Sequence, residues 1–310
     1  MEFKQQKDVT QEFEVSLEYV GERLDKFLTT IYEKQSRSFF QKLIKEDHVL
    51  VNGEIRKSNY RLTLEDEVQI TIPKAQEIQI LPEDIPLDIL YEDEDVLVVN
   101  KPKGMVVHPS VGHYSQTLVN AVMYHCKDSL SGINGIIRPG IVHRIDMDTT
   151  GALIVCKNDN AHRKIAQQIK EHSVTRRYRG IVNGVVKQEK GMIEGAIGRH
   201  PVERKKMAIN EQNGKPAITH YRVLERFPNY TYMEFELETG RTHQIRVHMA
   251  SIHHSLLGDT LYGTGKNPFH LQGQTLHAAV IGFIHPVTEK YIEVEAPLPE
   301  YFEKLLLKIQ

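Results

Sequence analysis

The stretch HRIDMDTTGALIV, residues 143–155, holds the densest set of side chains that could carry out chemistry. Asp146 and Asp148 stand there with His143 and Arg144, ahead of a glycine and an apolar run. A carboxylate on a loop between two buried strands is held rigidly, and a nearby cation would keep it ionised, which makes Asp146 a candidate for chemistry. The residues after Asp146 are also typical of a turn, so a charged turn is the alternative interpretation.

A second stretch, GRTHQIRVHMASI, predicts a helix from Arg241 to Ile252, after a glycine that ends a strand. Its apolar residues fall on one face, and Arg246 lies next to that face. A half-buried arginine needs a carboxylate partner, because an unpaired buried charge is costly. Asp146 is the candidate partner, and an arginine exposed at the surface is the alternative.

The sequence carries none of the common motifs for several other chemistries. It has no HExxH, paired CxxC or EF-hand pattern for a metal ion, and no GxSxG for a serine hydrolase. In YGTGKNPF, Asn267 stands where a phosphate-binding P-loop requires Ser or Thr. We therefore expect no metal site, since the 16 histidines of the chain produce close pairs by chance.

The composition favours a packed protein of the cytoplasm. No apolar run approaches the roughly 20 residues that span a bilayer. Two cysteines and a polar amino terminus argue against a disulfide scaffold and a signal peptide. The net charge of −2 does not favour a nucleic-acid binder, but acidic residues gather at 83–95 and basic ones at 176–179 and 199–206. Because acidic and basic residues are separated along the chain, one face of the protein could be basic despite the net charge.

Residues 1–75 predict a small α+β domain. An alternation at residues 13–17 indicates a short strand, and two helical patterns follow, with serines available to cap the second. The polar face of this second helix carries three basic residues, Arg37, Lys42 and Lys45. Asn52-Gly53 predicts a hairpin turn, and VQITIP a closing strand.

Three prolines at 73, 82 and 86 place a linker at residues 76–86, ahead of a second domain at 87–310. Strands such as DVLVVNKP, GALIVCK, YRGIVNGVV and YMEFELE mix with helices near 117–124, after Asn158 and at PEYFEKLLLKI. A hairpin is predicted to turn near His285-Pro286. Because no βαβ rhythm appears, we expect an α+β fold with a mixed, largely antiparallel sheet flanked by helices.

Four stretches, in order, carry a resemblance to a known family. HRIDMDTTGALIV resembles the His-Arg-Leu-Asp-x-x-Thr-Ser-Gly signature of the RluA-type pseudouridine synthases, with Ile145 and Thr150 as conservative departures. VVNKPKGMVVHPS, RRYRGIVNG and GRTHQIRVHMASI with LLGDTLYG resemble three further motifs of that family, and together they cover about residues 87–297. Residues 1–75, with GERLDKFL and SRSFFQKLIKEDHVLVNG, are similar to the S4-type RNA-binding domain.

The resemblance implies an isomerase that converts specific uridines of structured RNA to pseudouridine without a cofactor or metal ion. It implies that Asp146 is the essential nucleophilic acid and that Arg246 pairs with it. Tyr178 would lie against the uracil ring and assist removal of the proton at carbon five. Asp148 would be a turn residue. The uridine would have to be flipped or unpaired, since a base inside a helix is out of reach.

The resemblance also implies where the protein contacts RNA. Arg144 would occupy the position of the displaced base or hold the backbone, and His143 would adjoin it, with packing as its competing role. Arg37, Lys42 and Lys45 would contact phosphates. We expect large-subunit ribosomal RNA as the substrate, with transfer RNA as an alternative, and a cytoplasmic monomer without membrane contact.

Two other functions stay open at this point. One is a noncatalytic RNA-binding protein of ribosome assembly, against which the intact Asp146, Tyr178 and Arg246 argue. The other is a nucleoside or glycoside hydrolase, which would usually need a second acid at a set separation. Asp148 is the only close candidate for that acid.

Overall fold

A computed structural model describes residues 9–32, 35–73, 80–110, 112–127, 129–133, 139–263, 265 and 267–310. The chain forms two compact units, Met1–Glu77 and Ile78–Gln310. Within the described residues, every helix is too short or too polar to cross a bilayer. The domain limits at residues 75 and 87 stay predictions, and residues 76–79 of the predicted linker lie outside the described part of the chain.

The first unit packs two helices on a four-stranded antiparallel sheet in the order β1-β4-β2-β3. Asn52 and Gly53 both have positive φ, at 54° and 75°, which confirms the predicted hairpin turn. The predicted first strand ends at Glu14, so Leu17 lies exposed in a turn of 3-10 helix. The elements are β1 (Val9–Glu14), α1 (Leu24–Ile31), α2 (Arg37–Lys45), β2 (Val49–Val51), β3 (Glu54–Ile55) and β4 (Glu67–Ile72).

A buried carboxylate joins the two helices of the first unit. The side chain of Asp25 is fully buried and accepts two hydrogen bonds from Arg23, both at 3.0 Å. Arg37 donates to it at 3.1 and 3.2 Å, and Gln41 at 2.7 Å. Burial raises the pKa of Asp25, but these donors outweigh burial and hold the pKa well below its usual range. Asp25 therefore stays ionised and fixes α2 against α1.

The second unit is built on a nine-stranded mixed sheet, with β15 paired to β14 beside the path β5-β6-β7-β14-β8-β13-β12-β9. Among the described strands only β7 and β14 pair in parallel, which confirms the predicted, largely antiparallel sheet. The strands begin with β5 (Ile89–Glu92), β6 (Val96–Lys101), β7 (Thr150–Cys156), β8 (Thr175–Asn183), β9 (Lys190–Glu194) and β10 (Ile197–Arg199). They continue with β11 (Met207–Ile209), β12 (Ile218–Arg226), β13 (Tyr230–Leu237), β14 (Leu276–Ile284) and β15 (Tyr291–Glu295).

Helices cover both faces of this sheet. Alternate residues of β7 enter two cores, with Leu153 on one side and Ile154 on the other. Leu118 joins the first core and Ile165 the second, so α3 and α4 pack on opposite faces. Asn158, which the sequence predicts as a cap, begins α4, and Thr117, where the sequence predicts the start of a helix, is the N-cap of α3. The helices are α3 (Leu118–Cys126), α4 (Asp159–Lys170), α5 (Gln244–Ser251) and α6 (Glu300–Lys308).

Gly151 lets β7 approach β14 closely. Its φ is 110°, and a Cβ atom built on it would lie 2.2 Å from the carbonyl oxygen of Ala278. Gly151 and Ala278 are partners in the short parallel ladder of these two strands. Any side chain at 151 would push the strands apart, so the glycine that ends the HRIDMDTTG stretch is a packing requirement. It places the preceding loop, with Asp146, at the edge of the central strands.

Candidate active site

Asp146 lies on the loop that leads into β7, and the backbone of this loop is anchored on two sides. The amide of Thr149 donates to the carbonyl oxygen of Asp146 at 3.1 Å, which closes a turn. The carbonyl oxygen of Met147 accepts from the amide of Gly104 at 3.0 Å and from Nζ of Lys101 at 2.9 Å. These hydrogen bonds fix the loop backbone on both sides of the carboxylate.

Lys101, at the end of β6, is a buried amine behind this loop. Its side chain is fully buried, and Nζ donates at 2.7 to 2.9 Å to three backbone carbonyl oxygens, those of Pro102, Met105 and Met147. Burial lowers the pKa of Lys101 to about 7, against the opposing charges of Asp148 and Asp146. Sequence reasoning assigned no role to Lys101, although a lysine that ends the apolar run VLVVNK was a signal of a buried amine.

The structure brings together the predicted pair of Asp146 and Arg246, which are 100 residues apart in sequence. Nη1 of Arg246 donates to Oδ2 of Asp146 at 3.0 Å. The side chain of Arg246 is 9% exposed and that of Asp146 is 19% exposed. The arginine is therefore held inside the protein, while one side of the carboxylate faces open space.

Asp259 holds the other edge of the Arg246 guanidinium. It accepts from Nε at 2.7 Å and from Nη2 at 2.9 Å, and its own side chain is fully buried. Burial raises the pKa of Asp259, but the Arg246 hydrogen bonds and two backbone amides, of Leu261 and Tyr262, bring it below its usual value. Burial lowers the pKa of Arg246, and the two carboxylates raise it further above its ordinary value. The result is a fixed carboxylate–arginine–carboxylate chain.

Sequence reasoning missed Asp259. It lies in LLGDTLYG, and an acid in a short turn is an ordinary surface pattern. Only the long-range contact with Arg246 distinguishes it from other turn residues.

Helix α5 begins at Gln244, so the predicted start at Arg241 is wrong by three residues. His243 has a positive φ of 57° and breaks the helical path before it. The side chain of Gln244 accepts from the Arg241 amide at 2.9 Å and bonds to three groups around the sheet: the Thr239 hydroxyl, the Ile218 carbonyl and the Thr219 hydroxyl. This anchor fixes the first turn of α5 and thereby aims Arg246 at the loop.

Tyr178, on β8, lines a pocket with Asp146 and Arg246. Leu237 and Leu276 add apolar walls to this pocket. The side chain of Tyr178 is 8% exposed, and burial raises its pKa above the ordinary value. The phenol therefore stays protonated at neutral pH beside the acid and the arginine.

A second cavity opens from the same acid and is strongly basic. It shares Asp146 and Tyr178 with the first pocket. Among the described residues that line it, Asp146 is acidic, and four are Lys or Arg: Arg144, Lys170, Arg176 and Arg241. Such a cavity attracts a polyanion. The exposed Arg144 lines both cavities, next to the acid.

His143 supports the loop from inside. Its Nε2 accepts a hydrogen bond from the amide of Ile154 at 2.9 Å, which ties the loop to β7. Burial, and then the charge of Arg176, lower the pKa of His143 to about 3. The imidazole is neutral at pH 7 and cannot attract phosphate as a cation, although His143 also lines the basic cavity.

The half-buried His143 predicts a pH dependence of stability. Its folded pKa lies below the unfolded value of about 6.5, so the unfolded state binds a proton that the folded state excludes between these values. Stability therefore falls as the pH drops from 6.5 towards 3. We expect His143→Gln, which still accepts from Ile154, to remove about 2 kcal/mol of the stability difference between pH 7.5 and 5.0. Urea unfolding at both values measures this, and an unchanged difference would contradict the neutral imidazole.

The predicted RNA-binding residues of the first unit differ in their surroundings. Arg37 is half-exposed but pairs with the buried Asp25. Lys42 is 69% exposed and lies 3.8 Å from Glu46, and Lys45 is exposed at the end of α2. The two lysines are free to reach phosphate, whereas Arg37 also stabilises the fold.

One group of side chains away from this site, in the described residues, has the composition of a metal site: Asp93, Asp95 and His285. Nδ1 of His285 accepts from the amides of Val287 and Thr288, and Nε2 donates to Asp93 at 2.8 Å. Both nitrogens are occupied, so the group holds a loop in place and does not present ligands.

Comparison with known proteins shows the family to which the chain belongs. A family model for RNA pseudouridylate synthase matches residues 95–251, and a model for the S4 domain matches residues 22–68. The chain belongs to the RNA pseudouridylate synthase family, and it is an isomerase that converts uridine in RNA to pseudouridine. Asp146, Tyr178 and Arg246 lie in the matched segment, and Asp259 lies beyond it.

Individual relatives are similar over almost the whole chain. The uncharacterized RNA pseudouridine synthase YlyB of Bacillus subtilis is 50% identical, over 94% of this chain and 95% of its own. The ribosomal large subunit pseudouridine synthase D of Zymomonas mobilis is 45% identical, over 96% of each chain. The solved structure of human RNA pseudouridylate synthase domain containing 1 is 25% identical with a TM-score of 0.57, covering 76% of this chain and 97% of that one.

Proposed function

We propose that this chain isomerises uridines of large-subunit ribosomal RNA and that Asp146 carries the reaction. The relatives named ribosomal large subunit pseudouridine synthase D, from Zymomonas mobilis and Pasteurella multocida, support this substrate. The single observation that supports the site best is the Asp146–Arg246 pair at the floor of a pocket lined by Tyr178.

The reaction breaks the bond between C1′ and N1 of uridine and forms a bond between C1′ and C5. The proton on C5 is lost and N1 gains one, so the overall reaction is an isomerisation. An ionised carboxylate can add to C1′ or remove the proton at C2′, and both routes require Asp146 without its proton. Arg246 supports that state, because a charge-assisted hydrogen bond favours the ionised acid.

Tyr178 is proposed to hold the uracil ring while the ring turns from N1 to C5. Stacking of a base on an aromatic side chain contributes about 1–3 kcal/mol. The raised pKa of Tyr178 keeps its hydroxyl protonated, so contact with the ring is better supported than removal of the C5 proton by a phenolate. Leu237 and Leu276 complete an apolar wall for the base.

Arg144 is proposed to contact RNA where the target base leaves its stack. It is exposed, and it lines both cavities beside Asp146. Flipping a base costs a few kcal/mol, which a cation placed against the RNA backbone offsets. His143 is proposed to act through loop support and not through contact with phosphate.

We also propose that the protein acts as a cytoplasmic monomer with domain limits at residues 1–75 and 87–310. The two cysteines, Cys126 and Cys156, are free and buried, which fits a reducing compartment. Light scattering of the purified protein tests the monomer, and a mass of two chains would refute it.

The choice of RNA can be tested with transcripts that carry no modification. Large-subunit ribosomal RNA and a pool of transfer RNAs are incubated separately with the protein, and pseudouridine is mapped in each. We expect pseudouridine at a few positions of the large-subunit RNA. Pseudouridine in transfer RNA alone would reject the ribosomal substrate, and binding of either RNA without product would favour a noncatalytic assembly protein.

The lysines of α2 provide a prediction about RNA binding. Replacing Lys42 and Lys45 together by Ala is expected to weaken RNA binding. The slope of log affinity against log salt, which is negative, should become less steep by about 1.5, because two phosphate contacts are lost. Filter binding between 50 and 200 mM salt measures the slope. Lys57→Ala, an exposed lysine of a loop, is the control. If the double variant and the control have the same slope, these lysines are an ordinary solvated helix face.

A further inference from the structure

We infer that Arg176 binds a backbone phosphate of the substrate RNA next to the target uridine and so positions that nucleotide against Asp146. This inference rests on the proposed function of the Asp146 pocket and adds a positioning residue to it. Arg176 lies on β8, two residues before Tyr178, and both side chains are buried on the same face of the strand.

The first observation is a buried arginine without an acid. The side chain of Arg176 is only 7% exposed, and within the described residues no carboxylate lies in ion-pair distance of it. Nη2 donates to the carbonyl oxygens of Glu238 at 3.0 Å and Leu237 at 3.4 Å. Its Nε is buried without a hydrogen-bond partner, as are those of Arg177 and Arg179, so the missing acid is what distinguishes Arg176. A buried cation that lacks a counter-ion is costly, so a ligand that supplies one is expected.

The neighbouring arginines of the same strand show the contrast. Arg177 donates to Glu293 at 2.7 Å, and Arg179 donates to Glu295 at 3.1 Å. Both pairs lie on the more exposed face of β8, where acids of β15 stand opposite them. Arg176 faces the other way, into the basic cavity that also contains Asp146. Its lack of an acid is therefore specific to the cavity side.

The second observation is the character of the cavity. Arg144, Lys170 and Arg241 line it together with Arg176. Gly240 leaves space for the guanidinium, because a Cβ atom there would lie 2.6 Å from Nη1 of Arg176. A planar guanidinium matches two phosphate oxygens with two parallel hydrogen bonds. In an enzyme that acts on RNA, a phosphodiester is the anion available at this place.

The test removes the charge from one phosphate at a time. The substrate is a synthetic fragment of large-subunit ribosomal RNA in which the wild-type enzyme converts a single uridine. Neutral methylphosphonate linkages are placed singly at each position from two nucleotides before to two after that uridine. Single-turnover kcat/KM is measured for the wild type, Arg176→Gln, Arg176→Lys and the control Arg177→Gln. Thermal unfolding verifies that each variant is folded.

With the native fragment, Arg176→Gln is expected to lower kcat/KM by about 30-fold or more, and Arg177→Gln by less than about threefold. One methylphosphonate should lower the wild-type value by a similar factor and should have almost no further effect on Arg176→Gln. Arg176→Lys, which keeps the charge but loses the planar fork, should be intermediate and still respond to that linkage. If, at every linkage, the loss caused by the methylphosphonate is as large in Arg176→Gln as in the wild type, the two effects are independent and the inference is overturned.

The wild-type scan keeps the test decisive if Arg176→Gln fails to fold. Wild-type activity that is indifferent to every linkage would by itself reject a phosphate contact. Wild-type turnover of the unsubstituted fragment reports on the proposed substrate, so failure of that proposal is seen separately.

Discussion

Replacing Asp146 by Asn is expected to lower pseudouridine formation by at least about four orders of magnitude, because the amide can neither add to the sugar nor accept its proton. The size of the side chain is kept, and Arg246 remains bound to Asp259 by two hydrogen bonds. The pocket should therefore keep its shape. RNA affinity is expected to stay within about threefold of the wild type, since phosphate contacts supply most of it.

Asp148→Asn is the matched control for this prediction. Asp148 lies two residues further along the same loop and lines neither cavity. Its Oδ2 lies 2.3 Å from the position that a Cβ atom on Gly273 would take. We expect it to change the single-turnover rate by less than about threefold. Equal losses in the two variants would show that loop structure, and not the chemistry of one acid, decides the rate. Substantial turnover by Asp146→Asn would refute the assignment.

Replacing Asp259 by Ala is expected to destabilise the second unit by about 3–5 kcal/mol, because it leaves a buried arginine without its main partner. The folded pKa of Asp259 lies below the unfolded value of about 3.9. Its stabilisation is therefore complete above about pH 5 and is lost as the pH falls through the folded pKa. Urea unfolding at pH 7.5 and at pH 3 measures the stability difference between wild type and variant, which should shrink at the lower pH.

The same variant is expected to lower the single-turnover rate by about 100-fold in the molecules that remain folded. Arg246 loses the two hydrogen bonds that orient it, and small displacements of catalytic groups are costly. Asp84→Ala, an exposed carboxylate of the same unit, is the control and should change stability by less than about 0.5 kcal/mol. If both variants are equally stable, the buried pair does not support the fold as described.

The parts of the fold that depend on local chemistry were predictable. Asn52-Gly53 requires two positive φ angles, and Thr117 and Asn158 are good N-caps, so the hairpin and two helix starts could be placed from neighbouring residues. The start of α5 could not, because a positive φ at His243 and the side chain of Gln244 decide it. Gln244 contacts β12, which is distant in sequence, and His243 contacts Tyr262 on a later loop.

In the candidate site, too, some features follow from the residue types and others depend on contacts between residues distant in sequence. Residue types alone suggested that Arg246 needs an acid, and Asp146 was the natural candidate. Nothing local indicated that Asp259 holds the other edge of that guanidinium, or that Lys101 supports the loop from behind. Likewise, the basic face of α2 was visible in the sequence, while the pairing of Arg37 with Asp25 depends on how two helices pack.

We propose that this pocket isomerises uridine without releasing the base into solution. Large-subunit ribosomal RNA transcribed with tritium at C5 of uridine is incubated with the wild-type protein, and released tritium, pseudouridine and free uracil are counted together. We expect one tritium released for each pseudouridine formed, and no free uracil. Free uracil in proportion to the tritium lost from the RNA, or pseudouridine absent after prolonged incubation, would contradict the account.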